Sequence, residues 1–176
     1  MASAQDTADT PSLAPDPAQQ DQPTASARSW LAVEAAGRGF VFPLSEAGEI
    51  FSMVPLMPLP HAKDWFLGVA NLRGHLHGVV DLGRFLGLHV AEQGREASTL
   101  VAFSPSFDLN AALRIDRLAG LRSEKQFELD AEASAGAPSF VGQRLRDADG
   151  RVWQEIRLAP LAKHEAFLRI ANGCAS

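Results

Sequence analysis

One stretch of the sequence, residues 65–88, restricts the possible folds of this chain more than any other. Apolar residues 67–70 predict a strand, and residues 71–74 supply a turn that ends in glycine. Residues 75–80 alternate as a second strand, in which successive side chains face opposite sides of a sheet. The stretch therefore predicts a β-hairpin.

The segment that follows this hairpin predicts a short helix. Asp81 stands where a helix N-cap is expected, directly before apolar residues at helical spacing. Gly87 is suited to end that helix because glycine adopts the left-handed conformation of a helix C-terminus. The hairpin and helix together form a framework that holds one cation, Arg73, at a turn.

The remaining strand-like runs predict an all-β protein. They are 30–34, 40–44, 46–53, 98–103, 110–115, 140–146 and 151–158. We count nine or ten short strands and two short helices, with frequent turns between them. That spacing favours a sandwich or barrel over alternating strand–helix–strand units.

Two finer expectations concern the second half of the chain. Leu118 and Leu121 are expected to point inward. Pro160 is expected to open a terminal helix, since proline is tolerated in a first helical turn. On that helix Leu161 and Leu168 share one face, and Glu165 and Arg169 form a surface pair.

Length and composition limit the class of protein. A chain of 176 residues is long enough for one domain with a sizeable core. A formal net charge of −5 argues against a nucleic-acid partner. The one cysteine, Cys174, cannot form an internal disulfide, and no apolar run approaches the roughly 20 residues of a membrane span. We therefore expect a cytoplasmic protein without direct membrane insertion.

The ends of the chain are expected to lie outside the folded domain. Residues 1–28 contain four prolines and four aspartates, and Leu13 is their only large aliphatic residue after Met1. Such a segment cannot bury enough apolar surface to offset its ordering entropy, so we expect a disordered tail, with a docking role as the alternative. Residues 172–176 are expected to form a flexible C-terminal tail, which leaves 29–171 as the domain.

A proline-rich connection carries a group of large apolar side chains. They are Leu56, Met57, Leu59, Trp65 and Phe66. Core packing is the favoured role for them. The alternative is a partly exposed apolar patch that binds a partner, because interfaces are enriched in aromatic residues and methionine.

The sequence offers little for catalysis or metal binding. His75 and His77 share a strand face, but two ligands with no obvious third make a weak metal site. No local spacing supplies a nucleophile with its base or an acid–base pair. We expect no metal, cofactor or enzymatic activity, and keep a dispersed site using His75, His77 and Asp81 as an alternative.

Three segments of the sequence resemble one family. The run Leu-Gly-Val-Ala-Asn-Leu-Arg-Gly at 67–74, followed by Val-Val-Asp-Leu at 79–82 and Phe-Leu-Gly-Leu at 85–88, resembles the core motif of the CheW family. Segments 43–50 and 115–121 resemble two further family segments and occur in the same order. The CheW family consists of adaptor proteins of bacterial chemosensory arrays.

The resemblance implies both a fold and a function. The fold implied is all-β with short helices, built as two five-stranded, SH3-like barrel subdomains. The function implied is non-enzymatic: the adaptor links the cytoplasmic tip of a chemoreceptor to the regulatory domain of a CheA-type histidine kinase, at membrane-bound receptor arrays. The N-terminal extension and the C-terminal segment resemble the subtype that controls type IV pili and twitching motility. A stand-alone β-barrel that senses a small ligand is the alternative.

The resemblance also implies roles for individual residues. Glu49 and Arg73 are expected to form an ion pair that shapes the receptor-facing surface. Asn71, Gly74 and Val80 complete the receptor-binding set. Leu56, Leu59, Trp65 and Phe66 are the candidates for kinase binding. A partly buried pair would fix two turns relative to each other, whereas two exposed charges would contribute little to stability.

Overall fold

The computed structural model describes residues 27–91, 97–132 and 135–171, and shows an all-β protein with short helices. The strands are β1 Ser29–Ala35, β2 Arg38–Pro43, β3 Ala47–Ser52, β4 Phe66–Leu72, β5 His75–Asp81, β6 Thr99–Phe103, β7 Ala111–Ile115, β8 Arg117–Ser123, β9 Phe127–Leu129, β10 Val141–Asp147 and β11 Val152–Ile156. The α-helices are α1 Leu82–Phe85, α2 Leu158–Ala162 and α3 Glu165–Leu168. Cys174 and the predicted tails, except Ala27 and Arg28, lie outside the described residues, so the domain limits stay a prediction.

The strands form two sheets. One has six strands in the order β8-β1-β2-β11-β10-β9, and the other has five in the order β3-β6-β7-β5-β4. Most neighbours are antiparallel, but β11 pairs in parallel with β2, and β5 with β7. The all-β prediction is confirmed. The first sheet exceeds the expected five strands because the three-residue strand β9 pairs with β10 at its edge.

The largest apolar core lies where side chains of both sheets and of α2 and α3 meet. Its central members include Leu31, Phe42, Phe66, Val80, Leu113, Ile156, Leu161 and Phe167. Strand β1 is buried on both faces: Leu31 and Val33 face this core, whereas Trp30 and Ala32 pack in a separate cluster with Trp153. A strand covered on both faces explains the nearly continuous apolar run of its sequence.

A buried charge network fixes the end of β5. Asp81 and Arg114 form an ion pair at 3.0 Å, and both side chains are about 5% exposed. Arg114 also donates to the Ser98 hydroxyl at 2.7 Å. The second oxygen of Asp81 accepts from the Arg84 amide at 3.0 Å, which confirms the predicted N-cap. Asp81 therefore joins α1 to β7 through one carboxylate.

The segment after β3 returns to pair with β4 at the opposite edge of the five-stranded sheet. Met57 and Val69 exchange two backbone hydrogen bonds of 2.8 Å. Gly68, at φ +138°, permits this approach, because a Cβ there would lie 2.4 Å from the Met57 carbonyl oxygen. A residue with a side chain would clash with the backbone, so the closure depends on glycine.

The predicted C-terminal helix is wrong in its start and its length. Helix α2 begins at Leu158, two residues before Pro160, because the Glu46 carboxylate accepts from the Leu158 amide at 2.6 Å and caps the helix from another part of the chain. The chain then breaks before α3, so Leu161 is buried while Leu168 is half exposed. The predicted surface pair of Glu165 and Arg169, at the end of α3, is confirmed.

The expected orientation of Leu121 is wrong. Its side chain is 62% exposed, because it lies on the edge strand β8, where the register against β1 shifts. Gly120, at φ +100°, interrupts the regular alternation just before it. Leu118, in contrast, packs against the core between the sheets, as predicted.

Glu34 on β1 ties three strands together at the surface. Its carboxylate accepts from Arg117 of β8 and from Arg151 beside β11, at distances down to 2.5 Å. Burial would raise the pKa of Glu34, but the hydrogen bonds from Arg151 and Arg117 outweigh it and hold the pKa below its ordinary 4.5.

This lowered pKa predicts a pH dependence of stability. A depressed folded-state pKa contributes stability above the unfolded-state pKa and loses that contribution as pH falls toward the folded-state pKa. We therefore expect Glu34→Gln to destabilise the protein at about pH 7 and to lose this effect progressively as the pH falls below 4.5, the ordinary pKa of the group. Urea unfolding at about pH 7 and at a series of lower pH values measures this. Glu165→Gln, an exposed pair member, is the control, and a Glu34→Gln deficit that does not shrink in acid would contradict the prediction.

Candidate functional site

The hairpin formed by β4 and β5 is closed by a two-residue turn. Arg73 and Gly74 both have positive φ, at 51° and 84°, as a type I′ turn requires. The Asn71 side-chain oxygen accepts from the Gly74 amide at 2.8 Å and stiffens the turn. The turn predicted over 71–74 thus has only two residues, Arg73 and Gly74, at its tip. The hydrogen bond between Gly74 and Asn71 holds Arg73 at the end of a rigid hairpin.

The Arg73 side chain reaches across to Glu49 on β3. The two groups lie 2.5 Å apart, with side chains 75% and 45% exposed respectively. The expected pair is present, but it is exposed and not partly buried. Such pairs contribute at most about 1 kcal/mol to stability. Since β3 and β4 are the two outer strands of their sheet, the pair marks a surface where both sheet edges meet.

The other predicted receptor-binding residues differ in exposure. Asn71 and Gly74 are exposed at the hairpin tip. Val80 is only 2% exposed and packs in the core between the sheets, so its assignment as a surface contact is wrong. Its side chain faces inward because the first sheet covers this end of β5. Val80 therefore supports the hairpin by packing in the core between the sheets.

The predicted kinase-binding candidates divide in the same way. Leu59 is 43% exposed, and Leu56 is half-buried. Trp65 is half-buried and held edge-on by Phe85, with ring centroids 5.1 Å apart. Phe66 is 9% exposed and belongs to the core, so direct contact with a partner is excluded for its side chain. Core packing and surface exposure therefore both occur within this apolar group.

Two exposed apolar residues lie on the strands that lead to the charge pair, Leu76 on β5 and Ile50 on β3, and were not singled out from the sequence. Leu76 is 58% exposed and stands directly opposite Asn71 in the hairpin. Ile50, next to Glu49, is 40% exposed. No signal in the sequence marks them, because the exposure of an apolar strand residue depends on which part of the strand a neighbouring layer covers. The surface around the pair is therefore charged and apolar together, as interfaces often are.

The residues of the alternative dispersed enzyme site do not form a common site. His75 and His77 lie on one face of β5, and the His77 Nδ1 is 3.1 Å from the His75 carbonyl oxygen. Asp81 is buried and occupied by Arg114 and the α1 cap. Within the described ranges, no group of three metal-ligating side chains comes together. None of the helices there has the length and apolar character needed to cross a bilayer.

The fold has a counterpart among solved structures. The structure is similar to the crystal structure of the scaffolding protein TtCheW from Thermoanaerobacter tengcongensis, with a TM-score of 0.62. The match covers 74% of this chain and 89% of that chain, at 17% identity. Two all-β sheets in this arrangement are thus the fold of a CheW-type scaffold.

The sequence comparisons identify the family. The model of the CheW-like domain matches residues 29–166, and the chain belongs to this family. It is 32% identical to Protein PilI of Pseudomonas aeruginosa over 164 residues, which cover 88% of this chain and 85% of PilI. It is 25% identical over 122 residues to the chemotaxis protein CheW of Thermotoga maritima, covering 69% and 79% of the two chains. The predicted family and its PilI-like character are confirmed.

Proposed function

We propose that this protein is a non-enzymatic adaptor that couples the cytoplasmic tip of a chemoreceptor to a CheA-type histidine kinase at receptor arrays. Its membership of the CheW-like family supports a scaffold role in chemotaxis-type signalling. The structural observation that carries the proposal is the exposed Glu49–Arg73 pair at the end of a rigid hairpin. A pair that adds little to stability is available for recognition.

The chemistry of this surface suits a protein partner. The Arg73 guanidinium is three-quarters exposed, so it can donate further hydrogen bonds to an acceptor on the receptor while it stays paired with Glu49. Ile50 and Leu76 add apolar area beside it. Asn71 and Gly74 contribute by holding the hairpin tip in one conformation. Buried Val80 contributes through packing alone.

The kinase is assigned to a second surface, around the connection between β3 and β4. Met57 is 65% exposed and Leu59 is 43% exposed, whereas Leu56 and Trp65 offer half-buried edges. An adaptor needs two surfaces that are free at the same time. The backbone bridge from Met57 to Val69 fixes this connection onto β4, the strand that also leads to Arg73.

The pathway proposed is the chemosensory control of type IV pili and twitching motility. The likeness to PilI over 88% of this chain supports that assignment.

Charge reversal at Arg73 tests the receptor-binding role. We expect Arg73→Glu to weaken binding to a receptor-tip fragment about tenfold or more, because a carboxylate would replace a donor beside Glu49. Titration calorimetry with the receptor tip and, separately, with the kinase regulatory domain gives both affinities. Binding to the kinase should change little, and the unfolding midpoint should stay near that of the unmodified protein.

Two further variants make the result specific. Arg169→Glu reverses an arginine of similar exposure in the Glu165 pair, outside the hairpin, and should bind the receptor tip normally. The double exchange Glu49→Arg with Arg73→Glu should restore part of the affinity. Unchanged receptor binding by Arg73→Glu would refute the role of this surface. A clear thermal shift with a small metabolite, without binding to either protein, would favour the ligand-sensing alternative.

A further inference from the structure

A cleft of about 630 Å³ lies where the first sheet meets the segment after α1. We call it the Arg38 cleft. Its apolar wall consists of Phe40, Leu86, Leu88, Val141, Val152 and Ile156. Its charged rim consists of Arg38, Arg144 and Arg151. A cleft of this volume accommodates a ligand of a few residues or of drug size. It does not include the Glu49–Arg73 surface.

The charge of the Arg38 cleft differs from that of the whole protein. Three guanidinium groups line it and, within the part of the chain that the structure describes, no Asp or Glu does, although the chain has a net charge of −5. Arg151 is paired with Glu34, and Arg144 with Asp130 and Glu132. Arg38 has no ion-pair partner among the described residues. The cleft therefore fits an anionic group attached to an apolar one.

The N-terminal segment of this same chain has that chemistry. Residues 1–27 contain four aspartates and no lysine, arginine or histidine. Leu13, their only large aliphatic residue after Met1, lies between Asp9 and Asp16. We propose that the segment around Leu13 docks in the Arg38 cleft of its own chain, with Leu13 against the apolar wall and Asp16 beside Arg38. This inference does not rest on the proposed function.

The length of the segment permits this docking. Strands β1 and β2 are antiparallel, with Ala35 opposite Arg38. The path from Ala27 to the level of Ala35 is therefore eight residues of extended chain, or roughly 26 Å. Asp16, eleven residues before Ala27, reaches up to about 38 Å, whereas the backbone of Asp21 reaches only about 21 Å. Asp16 can reach the cleft, and the backbone of Asp21 falls short.

Tethering makes even a weak contact sufficient. A segment joined by a short flexible linker is present at an effective concentration on the order of millimolar. A contact with a dissociation constant of about 0.1 mM would then be occupied most of the time. Reversing one partly exposed ion pair changes such a contact on the order of tenfold, which is enough to release a large share of the docked segment.

Paramagnetic relaxation in the full chain tests the proposal. Cys174→Ser with Ala14→Cys gives one thiol for a nitroxide label next to Leu13. We expect strong broadening of the backbone amide signals of Gly37, Gly39 and Leu88 at the cleft, and little at Gly74 on the hairpin. Arg38→Glu should restore a clear part of the lost intensity at the cleft, and adding Asp16→Arg to it should bring the broadening back.

Charge-matched variants and an experiment on mixed chains decide whether the segment docks in the cleft of its own chain. Asp16→Asn should reduce the broadening, whereas Asp21→Asn, with the same change of net charge, should not. Broadening that is spread evenly over the surface, or that is undiminished in Arg38→Glu, would overturn the proposal. When a chain that carries the nitroxide but no ¹⁵N is mixed with a ¹⁵N chain that carries no nitroxide, we expect no broadening. If the broadening appears in that mixture as well, the cleft binds the segment of a second copy and the proposal is wrong.

Discussion

Replacing Arg114 by methionine is expected to lower the free energy of unfolding by about 3–5 kcal/mol. The change removes the guanidinium that lies 3.0 Å from Asp81, in a site where both side chains are about 5% exposed. The carboxylate of Asp81 would then lose its cationic partner in a region that excludes water. Removing one partner of a buried pair is costly mainly because the other charge is left behind. Urea unfolding near neutral pH measures the loss.

Two further variants separate buried charge from loss of packing. Arg73→Met makes the same chemical change in an exposed pair and should cost no more than about 1 kcal/mol. Adding Asp81→Asn to Arg114→Met should recover part of the loss, because asparagine removes the stranded charge and still caps α1. If Arg114→Met lowers the free energy of unfolding no more than Arg73→Met does, the buried Asp81–Arg114 pair does not stabilise the fold as proposed.

Gly68→Ala is expected to cost about 2–4 kcal/mol, the second largest effect. The backbone at φ +138° is strained for any residue with a Cβ, and that Cβ would meet the Met57 carbonyl oxygen at 2.4 Å. The paired backbone hydrogen bonds between Met57 and Val69 must lengthen or break. The variant should therefore lose hydrogen-exchange protection at both amides as well as stability.

Gly87→Ala is the matched control for this substitution. Gly87 also has positive φ, +71°, but nothing lies within 4 Å of the position that a Cβ would take. It should therefore show the cost of left-handed backbone alone, about 1 kcal/mol. Equal costs for the two alanine variants would show that the Met57 contact is not what requires glycine at position 68.

Local features of the fold could be predicted from the sequence because they depend on near neighbours. The N-cap by Asp81 follows from a residue type and the helical spacing after it, and it is confirmed. The hairpin turn at Arg73 and Gly74 follows from a glycine between two apolar runs. In the candidate site, the ion pair of Arg73 with Glu49 came from the family resemblance and is present. Its exposure could not be predicted, since that depends on how the sheet edges meet.

Features that depend on distant residues could not be predicted. The start of α2 is set by Glu46, 112 residues earlier in the chain, which no helix signal near Pro160 reveals. The alternation of residues 75–80 predicts that Leu76 and Val80 lie on the same face of the strand. It does not predict which end of that face another part of the protein covers. The packing of the two sheets buries Val80 and leaves Leu76 exposed. The burial of a site residue was thus a tertiary property.

The order of the strands along the chain has a consequence for synthesis on the ribosome. The first sheet takes β1 and β2 from the beginning of the chain and β8 to β11 from its end, whereas the second sheet lies wholly between them. Contacts such as that of the Trp30 indole with Glu155 span 125 residues. The face of β1 and β2 that carries Trp30 therefore stays uncovered until β10 and β11 have been synthesised, because Leu145 and Trp153 cover it. The middle sheet can fold earlier, and the nascent hairpin of β1 and β2 is the part that most needs chaperone protection.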